Sequence, residues 1–276
     1  MTPVEFLRLE VWALLFLVGA VVGSFLNVCV YRIPLGLSVV RPRSACPKCG
    51  AAIPAWRNVP IASWILLRGK CADCRAPISV RYPLVELGNA LLWLAAAWRC
   101  GLTPAAFVAL PFLSGLLALF FTDFDHQLLP DLMTLPLAAI GLALAAWNPR
   151  LDLAPGIFAG GTWWTRLAGA AAGAVVGYGL FFLLAVGWEL LFKREAMGGG
   201  DLKLMLAVGA FLGVPGVVVT VFLGSAVGAL ISLPFLVMRR WTMRRELPFG
   251  CFLCPAAVVA ALYGDALARW YLGFLS

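Results

Sequence analysis

Four cysteines fall in two close pairs, Cys46-Pro47-Lys48-Cys49 and Cys71-Ala72-Asp73-Cys74, with 21 residues between them. Two intervening residues let neighbouring thiolates turn onto one ion, and Gly50 permits the tight turn behind the first pair. Four thiolates so spaced describe a closed tetrahedral zinc site, structural because no position is left for water. Two disulfides are the competing reading, and they need an oxidising compartment. Of the remaining cysteines, Cys29 and Cys100 end apolar stretches and read as packing residues. Cys251 and Cys254 form a lone C-x-x-C without a partner motif.

The acids are few, and their positions are informative. Only 13 Asp and Glu occur, and three of them cluster in Thr122-Asp123-Phe124-Asp125-His126-Gln127-Leu128-Leu129-Pro130-Asp131. Another follows a glycine run, Gly198-Gly199-Gly200-Asp201-Leu202-Lys203. Both clusters border apolar stretches, where an ionisable side chain is expensive and is by default a functional candidate. Asp131 reads more simply as a helix N-cap after Pro130, and Asp201 could cap the next helix. A plain cap does not need three glycines, whereas close approach of a bound peptide backbone would use them. For Asp123 the plain alternative is a solvated loop carboxylate.

Elimination narrows the chemistry. His126 is the single histidine, so an H-E-x-x-H zinc protease is excluded. There is no G-x-S-x-G elbow, P-loop or dinucleotide fingerprint, and Ser225 reads as a packing serine. Paired carboxylates are what is left for catalysis.

The elements that must hold these groups are membrane helices. The 276 residues are 63% hydrophobic and only 12% charged, with a mean hydropathy of +0.95. That is about half the charge of a soluble domain, too little to cover a water-facing surface. Apolar segments at 10–31, 84–99, 104–122, 132–147, 166–192, 203–214, 215–238 and 250–274 predict an all-α polytopic membrane protein of about eight transmembrane helices. The segment 203–214 is the shortest and ends at Gly213-Val214-Pro215-Gly216. Gly169, Gly173 and Gly177 recur at the spacing that suits close helix packing in lipid.

Of the 21 Lys and Arg, sixteen fall in one alternating set of loops and five in the other. The positive-inside rule puts the richer set in the cytoplasm and both termini outside. The net charge of +8 is thereby explained without a nucleic-acid partner. The cytoplasmic set includes the cysteine segment, whose reducing surroundings favour zinc over disulfides. The organisation expected is a first transmembrane helix over 1–31, a cytoplasmic zinc-binding loop over 32–83, and a helical bundle with the carboxylates over 84–276.

With these motifs in this order, the chain resembles the bacterial type IV prepilin peptidases, membrane aspartic proteases of the GxGD type. The likeness rests on Gly23-Ser24-Phe25-Leu26-Asn27-Val28, Tyr31-Arg32-Ile33-Pro34 and the four cysteines framing Asn58, Pro60, Ser63-Trp64 and Gly69. It continues through Arg81-Tyr82-Pro83-Leu84-Val85-Glu86, Asp123 to Asp131, Gly198 to Leu204, and Pro248-Phe249-Gly250. The resemblance implies an inner-membrane, multi-pass enzyme that removes the basic leader of prepilins and pseudopilins of type IV pilus and type II secretion systems. It implies cleavage after a glycine at the cytoplasmic face, with the catalytic pair on Asp123 and Asp201 and Asp125 the lesser candidate. Many members with the four-cysteine loop also N-methylate the new N-terminus with S-adenosylmethionine; the alternative is a peptidase without that activity. Cys251 departs from the family, which more often has proline there.

Further expectations follow. A methyltransferase activity would sit in the 32–83 loop, the one sizeable cytoplasmic segment, with Glu86 facing the substrate ammonium or pairing with Arg81. Asp123 ends one span and Asp201 begins another, so helix dipoles would make Asp201 the initial base and Asp123 the acid. A transporter would instead place its carboxylates at mid-bilayer, and an inactive assembly factor would have lost them. Oligomeric state is not fixed by the sequence.

Overall fold

The computed structural model describes residues 3–151, 162–193, 198–237 and 248–273. Among the described residues there are helices and no strands, only two isolated bridges at Ala45–Ala52 and Lys70–Pro77. The helices are α1 (Pro3–Arg32), α2 (Ala62–Leu66), α3 (Arg81–Cys100), α4 (Pro104–His126), α5 (Asp131–Leu144), α6 (Trp163–Phe192), α7 (Gly199–Val237) and α8 (Gly250–Leu272). Among the described residues, five stretches are long and apolar enough to cross a membrane: Leu9–Arg32, Pro104–His126, Trp163–Phe192, Gly199–Ser232 and Gly250–Leu267. That is fewer than the eight expected. The expected segments 203–214 and 215–238 are the two arms of α7, bent at Gly213 (φ 66°, ψ −173°). α5 is apolar but short, even when its 3₁₀ continuation to Trp147 is included. The basic loop 238–247, with Arg239, Arg240, Arg244 and Arg245, and Arg194 lie outside the described residues.

Two compact units divide the chain, Met1–Trp98 and Arg99–Ser276. In the first, α1 lies directly on α3. A Cβ at Gly19 would come within 2.9 Å of Ala90 Cα, and one at Gly23 within 2.7 Å of Glu86 Cα. Glycines four apart thus open one face of α1 to another backbone, the small-residue contact that membrane helices use in place of hydrophobic exclusion. Asn89 Nδ2 donates to Gly19 O (2.7 Å) and Asn27 Nδ2 to Tyr82 O (3.1 Å), so both buried amides are satisfied across this seam.

In the second unit α6 packs most extensively on α7. Gly173 meets the backbone of Gly209 and Gly213, and Gly177 meets Met205 O, so the glycine spacing in α6 is a packing device, as its sequence pattern suggests. The core holds Phe112 stacked on Phe211 (4.6 Å between centroids) with buried Leu116, Leu119, Met205 and Leu253. Large apolar side chains such as Leu183, Phe222 and Leu230 face outward, as a lipid-facing surface requires. The bend in α7 is locally compensated. Pro215 has no N–H to give Phe211 O, and buried Asn148 donates its Nδ2 there instead (2.7 Å).

Candidate active site and metal centre

Asp123 lies in the last turn of α4 and is buried at 5% exposure, whereas Asp125 is exposed. Two residues turn a helix by about 200°, so the two carboxylates cannot serve the same face. Asp123 Oδ2 accepts the backbone N–H of Cys251 (2.9 Å) at the first turn of α8. N–H groups there lack intrahelical acceptors and point at an anion. The approach depends on Gly250, where a Cβ would sit 2.8 Å from the same oxygen. The Cys251 thiol is directed at Phe120 O (3.7 Å) and also contacts Asp123.

This arrangement corrects the dipole argument made from sequence. Asp123 is near the C-terminus of α4, but it also faces the N-terminus of α8, so the two helix ends oppose one another. Helix ends therefore do not separate the roles of Asp123 and Asp201.

Asp201 is in the first turn of α7, its N–H donating to Gly198 O (3.1 Å). It is close enough to Asp123 for their charges to interact, and Cys251 senses both. The glycines before it divide in function. Gly200 lets the start of α7 lie on the 129–130 turn, since a Cβ would come 2.7 Å from Leu129 Cβ. Gly198 and Gly199 have nothing within 4 Å of a Cβ, leaving space along the chain there. Asp131 is not an N-cap. Pro130 holds that position without a side-chain bond, and Asp131, the first helical residue, pairs with Lys203 Nζ at 2.6 Å.

The four cysteines converge in the first unit as free thiols, their sulfurs all within 4.8 Å of one another. Cys46 Sγ and Cys74 Sγ are 3.8 Å apart. A tetrahedron with arms of about 2.3 Å, the Zn–S length, has edges of about 3.8 Å, so the set fits zinc. The two halves fold alike. Cys46 N–H donates to Ala51 O and Gly50 N–H to Cys46 O; Cys71 N–H donates to Ala76 O and Arg75 N–H to Cys71 O. Each turn closes on a positive φ, at Gly50 (74°) and at Arg75 (60°). Backbone N–H groups of Cys49 and Lys48 favour the Cys46 thiolate and bring its pKa down to about 6. At Cys49 the Ala51 N–H favours the thiolate, but the sulfurs of Cys46 and Cys74 outweigh it and push the thiol up to about 12. Those protons would leave on metal binding.

A helical membrane protein with a carboxylate pair at three helix ends and a four-thiol knuckle belongs to a narrow class. Residues 17–100 match the bacterial peptidase A24 N-terminal domain, and residues 110–233 match the type IV leader peptidase family. A prepilin leader peptidase/N-methyltransferase of Pseudomonas aeruginosa is 40% identical over 283 residues, covering 94% of this chain and 92% of its own. Proteins of the same description from Stutzerimonas stutzeri (38%, covering 99% of both chains) and Neisseria gonorrhoeae (36%, 92% of both) are similar throughout. The chain belongs to the type IV leader peptidase family. No solved structure matches it significantly.

Proposed function

We propose that this chain is a membrane aspartic endopeptidase that removes the basic leader of prepilins or pseudopilins, and that it then N-methylates the new N-terminus. Asp123 and Asp201 carry the hydrolysis. One carboxylate, ionised, takes a proton from water; the other, protonated, donates to the scissile carbonyl oxygen. The tetrahedral intermediate collapses as the amine leaves with a proton, and the pair returns to its shared single proton. What supports this choice is that Asp123, not Asp125, is buried against the α8 N-terminus within electrostatic reach of Asp201. Near-full-length likeness to prepilin leader peptidase/N-methyltransferases supports both activities.

Zinc on Cys46, Cys49, Cys71 and Cys74 serves structure, holding the 32–83 loop. Methyl transfer belongs to that loop and uses S-adenosylmethionine. In this reading the protein sits in the bacterial inner membrane with the zinc loop and both carboxylates at the cytoplasmic side. Incubating the reconstituted protein with a prepilin and reading the product by mass spectrometry tests cleavage and methylation together. An uncut substrate would refute the peptidase; a cut but unmethylated product would leave a peptidase alone.

A further inference from the structure

The first unit contains a half-open cavity of about 500 Å³, within the range of small-ligand sites, between the end of α1, the cysteine loops and the start of α3. Glu86 lines it and is more than nine-tenths buried. Its Oε2 accepts the N–H of Ile61 (2.7 Å), and the Ser24 hydroxyl also bonds the carboxylate. The groups recorded on the carboxylate are this N–H and this hydroxyl, with no lysine or arginine among them. A buried carboxylate without a cation is costly.

The chain spends further free energy to place that acceptor bond. Ile61 has φ 62° and ψ −53°, the strained γ-turn geometry, with Ala62 N–H donating back to Pro60 O. A β-branched residue is the least suited to it. Such a conformation persists only where its surroundings over-determine it, and it marks functional sites. Trp64 forms an aromatic wall, fixed by Nε1–H to Ile78 O (3.1 Å) and seated on Gly69, where a Cβ would come 2.9 Å from the ring.

We infer that this cavity is a binding site for an organic cation and that Glu86 is the group that recognises its charge. The inference rests on the methyltransferase reading above, which supplies two such cations: the sulfonium of the methyl donor and the ammonium of the cleaved chain. In the transfer the amine, having lost a proton to water, forms the N–C bond with its lone pair. The S–C pair returns to sulfur as a neutral thioether, so a donor held through its sulfonium loses that attraction once spent.

The test uses the full chain in nanodiscs and Glu86→Gln, which keeps an oxygen for Ile61 N–H. Zinc content and thermal midpoint report its fold. If the sulfonium is recognised, S-adenosylmethionine binding weakens by tenfold or more, and the wild-type preference over neutral S-adenosylhomocysteine disappears. If the ammonium is recognised, donor binding holds while KM for an already cleaved pilin peptide rises by a similar factor. Unchanged donor binding and unchanged peptide KM would overturn the inference with the methyltransferase reading intact. A wild type that neither binds donor nor methylates would overturn both. Should Glu86→Gln fail to fold, carbodiimide labelling of wild-type Glu86 decides: protection by donor or cleaved peptide is expected, and labelling indifferent to both refutes the site.

Discussion

Cys251 donates its backbone N–H to Asp123 Oδ2 at 2.9 Å, across 128 positions of sequence. The contact joins the end of α4 to the start of α8 and holds one carboxylate in a single orientation. It uses a main-chain donor, and the thiol of the same residue contacts the same carboxylate. A proline, as the family more often has there, could not make it, and the approach of α8 through Gly250 would then carry the positioning alone.

That approach is testable at Gly250. Gly250→Ala puts a methyl 2.8 Å from Asp123 Oδ2. Displacing the carboxylate should lower kcat/KM for prepilin cleavage by roughly tenfold or more, about 1.4 kcal/mol of transition-state stabilisation. Zinc content should not change. Wild-type cleavage by this variant would show that the α8 contact does not position Asp123.

The Asp131–Lys203 pair ties the N-terminal ends of α5 and α7 at 2.6 Å, with side-chain exposures of 60% and 30%. A part-exposed pair of this kind is worth about 0.2–1 kcal/mol. Removing either charge should therefore lower stability by that much, and exchanging the two residues should recover most of it. A double-mutant cycle on the thermal midpoint measures the coupling, and a coupling of zero would leave the contact without energetic weight.

Asn148 should matter more. Asn148→Ala strands the Phe211 carbonyl that Pro215 cannot satisfy, an unmade buried hydrogen bond of about 1–3 kcal/mol. The thermal midpoint should fall by several degrees, with the active-site carboxylates untouched. An unchanged midpoint would mean that another donor takes over the carbonyl.

Metal analysis of protein purified without chelator should find about one zinc per chain. All four cysteines bind metal as thiolates, so protons compete with the ion. Zinc should be retained at pH 7 and released as the solution is made progressively more acidic. A metal-free protein, or one indifferent to acid, would contradict the site.

What the sequence made legible was local or compositional. Cys46, Cys49, Cys71 and Cys74 announce their site because each knuckle is closed by bonds within a few residues. The apolar segments announce helices because lipid leaves the backbone no other solution, and Gly213-Val214-Pro215 marks the bend in α7. The rest depends on contacts that no short window contains. Asp131 looks like a cap until Lys203, 72 positions away, is seen beside it. Glu86 accepts the N–H of Ile61, from a strained turn 25 positions upstream that no local pattern places beside it. The helix ends of α4 and α7 alone would separate the roles of Asp123 and Asp201, and the N-terminus of α8 beside Asp123 removes that distinction.

The central claim is that Asp123 and Asp201, and not Asp125, carry the hydrolysis. The direct measurement is cleavage of one prepilin by Asp123→Asn, Asp201→Asn and Asp125→Asn, each reconstituted at wild-type level and read by mass spectrometry. Neither role in the pair can be filled by an amide, so the first two should lose at least about 100-fold. Asp125→Asn, changed at an exposed position, should stay within about tenfold of wild type. Normal cleavage by Asp123→Asn or Asp201→Asn, or loss of cleavage in Asp125→Asn alone, would contradict the account.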